Sequence, residues 1–93
     1  MKTRLMGWGD WGISNPKAVM KDIREKAAGD IEIQLLILDA CTKTYPGISS
    51  YLYESIVHRK SYDSMCVAIK KDDFYAYRRK AVAIYLGKVG TKK

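Results

Sequence analysis

Cysteine, proline and histidine are scarce in this chain, two, two and one of 93 residues, and each scarcity removes a class of answers. Cys41 and Cys66 form no C-x-x-C pair and no cluster with His58. Structural zinc needs four such ligands held close together, so no metal site and no cofactor is expected. Both thiols fall among apolar residues of predicted helices, which suits reduced core residues of a cytoplasmic protein, a disulfide being the alternative. His58 has no Ser, Cys or carboxylate set around it in a recognisable motif, so the reading is of a protein that is not an enzyme. No apolar run approaches the ~18 residues of a membrane span, and the opening residues lack a signal-peptide core. Membrane and secreted locations are therefore disfavoured, and the cytoplasm is the expected compartment. Strand-like alternation is missing as well.

What remains is a chain with 47% hydrophobic and 29% charged residues, enough to fold and short enough to expect a single domain over 1–93. Within it, 1–29 reads as an N-terminal helical segment, 30–89 as the core and 90–93 as a basic tail. The net charge of +7 is unevenly placed. Met1 to Val57 carries seven basic and seven acidic residues, whereas His58 to Lys93 carries ten basic against Asp63, Asp72 and Asp73. All of the excess lies in the last third, the footprint of a surface that meets a polyanion.

Apolar spacing of i, i+3, i+4 with helix-start residues in front of each stretch predicts an all-α small bundle. Leu5, Trp8 and Trp11 share a spacing of three, which allows a short helix with both indoles on one side, packed in the core or at a protein contact. Asn15 and Pro16 open a helix over 16–28 that Gly29 ends. Asp30 caps a second helix whose apolar residues, Ile31, Ile33, Leu35, Leu36, Leu38, Ala40 and Cys41, run nearly all round it and so place it at the centre of the bundle. Tyr45-Pro46-Gly47 stops that helix, and Ser49 or Ser50 starts the next, over 51–59. Ser61 then caps a helix over 62–70, and Asp72 caps a longer one from Asp73 to about Gly87.

Three helices from Tyr51 onward, joined by short polar turns, form the pattern of a tri-helical helix-turn-helix. An α-helix fits the major groove of B-DNA, with side chains of its first turn on base edges and flanking cations on phosphates. The candidate base contacts are Asp73, Phe74, Tyr75, Arg78 and Arg79. The candidate phosphate contacts are Arg59, Lys60, Lys70, Lys71, Lys80 and Lys88. Ala76, Val82, Ala83 and Leu86 pack inward, with Phe74 or Tyr77 at the edge.

The stretch Ser61 to Ile69, then Asp72, then Tyr77 to Leu86 resembles the region-4 helix-turn-helix of sigma factors and of phage late-gene regulators. Cys66 stands where that pattern usually has Ala, and Asp72 where it has a capping Ser. The opening Leu5-Met6-Gly7-Trp8-Gly9-Asp10-Trp11 is similar to the Trp-Gly-x-Trp start of Q-type phage antitermination proteins. The resemblance implies a regulator that binds double-stranded DNA near a late promoter and associates with host RNA polymerase, with homodimerisation a further expectation. The alternative is a phage-encoded protein-interaction factor that inhibits or redirects a host complex, with Trp8 and Trp11 as its contacts.

Overall fold

The computed structural model describes Trp8, Gly9 and residues 12–89. Four α-helices are formed among them: α1 (Pro16–Ala27), α2 (Ile31–Thr44), α3 (Ser49–His58) and α4 (Lys71–Lys88), with 3-10 turns at Pro46–Ile48 and Tyr62–Ser64. The fold is all-helical, and no strand occurs among the described residues. Trp11, Asp10 and the 90–93 tail lie outside the described residues, as does most of the expected first helix.

Helix starts follow local chemistry. Asn15 accepts a hydrogen bond from the Ala18 amide at 3.3 Å with Pro16 behind it, and Asp30 accepts from the Glu32 and Ile33 amides at 3.1 and 3.3 Å. Each carboxyl or amide oxygen thus satisfies donors that have no partner inside the helix. Between the two helices Gly29 takes φ +79°, a conformation in which a Cβ would be strained, so the chain reverses there.

The core joins all four helices: Ile23 of α1, Ile37 of α2, Ile56 of α3, and Val82 and Tyr85 of α4 meet at one point. Phe74, Ala76 and Ala81 extend the buried side of α4, so this helix is itself a core element lying against α2 and α3. Such packing orders α4 by burial on two sides rather than by a single apolar stripe.

The helix expected over 62–70 is not formed. After the turn at Tyr62–Ser64 the chain runs irregularly to Lys70, starting with Met65 in an extended conformation at φ −126° and ψ 151°. Met65, Val67 and Ile69 are half-buried and alternate with exposed Cys66, Ala68 and Lys70. This is the period of an extended chain, present in the sequence as Met-x-Val-x-Ile, and two of its inward residues are β-branched. The segment is clasped to α4 by side chains. The Tyr62 amide donates to the Tyr75 hydroxyl at 3.1 Å, and the Tyr62 hydroxyl donates to the Ile69 carbonyl. With its middle helix missing, the expected tri-helical unit is replaced by two helices and a strap.

Three other expectations are corrected. Asp72 does not cap α4: Lys70 occupies that position without a side-chain bond, and Asp72 and Asp73 sit inside the first turn, where the helix dipole favours them. Cys66 is an exposed strap residue, whereas Cys41 is fully buried in α2. And α2, though packed on the other three helices, leaves Ile31, Leu35 and Leu38 at the surface.

Candidate anion-binding cleft

The first turn of α4 does not present a row of base-reading side chains. Phe74 is 0% exposed, ringed by Tyr62 and Tyr75 at 5.6 and 5.3 Å between centroids, and so cannot reach a base. Tyr75 is half-buried, its hydroxyl engaged by Tyr62 and its ring covered by the Arg78 guanidinium at 4.6 Å. Asp73 and Arg79 are half-buried and each is engaged by a neighbour. The cause is the missing helix over 62–70: the strap lies against Phe74 and Tyr75, where an open recognition surface was expected.

Three of the expected phosphate contacts already have carboxylate partners. Lys60 pairs with Glu54 at 3.6 Å, Lys71 with Asp63 at 3.3 Å and Lys88 with Asp39 at 2.8 Å. Lys70 is exposed at the start of α4 and Lys80 is half-buried midway along it.

Arg59 and Arg78 do converge, on a cleft of about 870 Å³ between α1, α3 and α4. Its walls are Lys17, Lys21 and Arg24 of α1, Ser55 of α3, Arg59 beyond it and Arg78 of α4, with Trp8 and Met20 as apolar surface. Lys17, Lys21 and Arg24 follow the i, i+4, i+7 spacing of one helix face. Their charge is invisible in the neutral count for residues 1–57, where seven acids offset seven bases, and Asp22 pairs with Lys26 at 3.3 Å. Among the described residues Glu25 is the one acidic wall residue, and Lys21 lies 4.0 Å from it.

Each arginine is held by a different device. Arg78 donates to the Ser55 hydroxyl at 3.0 Å, its Nε buried without a partner among the described residues, and Ser55 is itself 1% exposed. Arg24 donates weakly to the Ile56 carbonyl at 3.5 Å. Arg59 ends α3 in the left-handed conformation at φ 61°, where its amide and that of Lys60 bond back to the Glu54 carbonyl. Glycine is the usual occupant of that position, so retaining Arg there carries backbone strain.

None of the ion pairs among the described residues involves Arg24, Arg59 or Arg78. Instead they act on one another. Burial lowers the Arg78 pKa, and Arg24 and Arg79 lower it further against an opposing effect from Tyr75. Burial followed by repulsion from Arg59 lowers that of Arg24. Both still carry full charge at neutral pH, because guanidinium deprotonates only far above it. Like charges partly withdrawn from water are relieved by a bound anion, and guanidinium forks match phosphate and carboxylate oxygens two at a time.

Sequence reasoning named Arg59 as a phosphate contact and Arg78 as a base contact, and it missed Arg24 and Ser55. No protein family, characterised protein or solved structure matches this chain. Among the described residues no helix is long and apolar enough to cross a membrane, and no cluster of three metal-ligating residues occurs.

Proposed function

We propose that this protein is a DNA-binding transcription regulator of phage type that grips the phosphate backbone of double-stranded DNA in the Arg24–Arg59–Arg78 cleft. One observation carries the reading: three guanidinium groups from three parts of the chain border a single cleft, and among the described residues no carboxylate is paired to any of them. Because α4 is packed into the core, contact is with phosphates rather than with base edges in the major groove. Backbone contact fixes position on the duplex and carries little sequence information of its own. Late-gene antitermination with host RNA polymerase is the role that the resemblance implies for such a protein, and it belongs to this proposal.

Fluorescence anisotropy with a labelled duplex across a salt series tests it. Three phosphate contacts give a log–log salt slope of about −2.7, so affinity falls about fortyfold between 50 and 200 mM salt. Arg24→Ala is expected to weaken binding about tenfold and to flatten the slope by about one contact. Duplex binding that is absent at low salt, or unchanged by Arg24→Ala, sinks the proposal. If the same variant also still retains host RNA polymerase in a pull-down, the protein-interaction alternative takes its place.

A further inference from the structure

The outer face of α2 is apolar where a solvated helix is normally charged. Ile31, Leu35 and Leu38 are 66%, 58% and 37% exposed, and with Thr42 they follow the spacing i, i+4, i+7, i+11. This is a continuous stripe along one side of a fourteen-residue helix. None of its residues borders the arginine cleft, so the two surfaces are independent.

The stripe is self-complementary when reversed. In an antiparallel pair of α2 helices related by a two-fold axis between positions 36 and 37, Leu35 of each copy faces Leu38 of the other, and Ile31 faces Thr42. The Thr42 hydroxyl already donates to the Leu38 carbonyl at 2.9 Å, so covering it leaves no unmet donor. Charge follows the same symmetry. Asp30 and Glu32 occupy the N-terminal end of α2, while Lys43 and Lys88 gather around Asp39 toward its C-terminal end, at 3.3 and 2.8 Å. Reversal sets the acidic end of each helix beside the basic end of its partner and opposes the two helix dipoles, whereas parallel pairing aligns like charges.

We infer that the exposed α2 stripe binds a second copy of this chain, forming a two-fold symmetric dimer through antiparallel α2 helices. Identical patches meeting across a two-fold axis are the commonest closed assembly. A contact confined to one helix pair falls below the ~1,200 Å² of standard stable interfaces, which places the dimer in the micromolar range. The two arginine clefts remain uncovered in this arrangement.

Sedimentation equilibrium of the full chain without DNA, from about 1 µM to about 1 mM, tests the inference independently of nucleic-acid binding. A reversible monomer–dimer equilibrium is expected. Leu35→Glu should raise the dissociation constant at least about tenfold with an unchanged circular-dichroism spectrum, since Leu35 takes no part in the buried core. Glu32→Lys and Lys43→Glu should each weaken association about threefold, and their combination should return it to within about twofold of wild type. A chain that stays monomeric throughout, or a dimer indifferent to Leu35→Glu, overturns the proposal. Failure of the double variant to recover overturns the antiparallel register.

Discussion

Two sets of cations divide this protein, and they differ in what surrounds them. In the C-terminal third, Lys60, Lys71 and Lys88 each sit against a carboxylate, so an incoming phosphate must displace a partner already in place. Arg24, Arg59 and Arg78 border one cleft, where burial and neighbouring guanidinium groups lower the pKa of Arg24 and of Arg78. A charge count gives both sets the same weight. Position gives the arginines the greater capacity to hold an anion, because they border one cleft and none is paired to a carboxylate among the described residues.

The placement of α4 underlies this contrast, since it carries Arg78 on one side and Lys71 and Lys88 at its ends. Phe74→Ala is therefore the most damaging change expected. It should lower stability by about 3–5 kcal/mol in urea unfolding, the cost of truncating a fully buried aromatic ring. A groove-facing Phe74 would instead leave the unfolding midpoint unchanged and weaken DNA binding alone. Arg78→Ala comes next, lowering stability by about 2 kcal/mol, since it strands the buried Ser55 hydroxyl and uncovers Tyr75. Duplex affinity should fall about tenfold in the same variant. Alanine at Lys60 or Lys71 should change that affinity by less than about twofold, and equal losses from the lysine and arginine variants would erase the distinction between the two sets.

Arg59→Gly separates function from folding. Relief of the left-handed backbone should stabilise the fold by about 0.5–1 kcal/mol while duplex affinity drops several-fold, so the two readouts move in opposite directions. Loss of both would assign Arg59 to structure alone. Cys66→Pro probes the strap: Met65 already has the backbone that a following proline requires, so the expected cost is under about 1 kcal/mol, against about 3 in a helix interior.

The smallest effect concerns the lysine side. Hydrogen bonds from Lys88 and Lys43 hold the Asp39 carboxyl below its ordinary pKa. Because the folded value is depressed, the contribution to stability is fully present above the unfolded aspartate pKa and disappears as pH falls through the folded one. Acid titration followed by amide exchange should show the α4 C-terminus loosening from α2 in that range. Asp39→Asn should remove the pH dependence of that loosening.

Much of the architecture was legible because it is written in neighbouring residues. Asn15-Pro16 and Asp30 start helices through bonds to amides two or three residues on, and Gly29 supplies the reversal between them. These are short-range decisions, set by one side chain and the nearest backbone. The strap was misread because Ser61 and the apolar residues after it suit a helix start as well as an extended chain. The alternation Met65, Val67, Ile69 is only three residues deep, and Tyr62 and Tyr75 settle the choice from thirteen positions apart.

The cleft was the least legible element, since its parts come from residue 8, α1, α3 and α4. Charge summed along the chain hid the Lys17–Lys21–Arg24 face, because acids from other parts of the chain enter the same sum. By itself, then, the sequence determined an all-helical chain, its main caps and turns, and its cationic character, because each depends on local backbone chemistry or on composition. Only the tertiary structure decided that α4 is core, that Arg24 joins Arg59 and Arg78, and that α2 keeps an apolar face outside. Those outcomes depend on which distant surfaces cover one another, and no window of neighbouring residues contains that information.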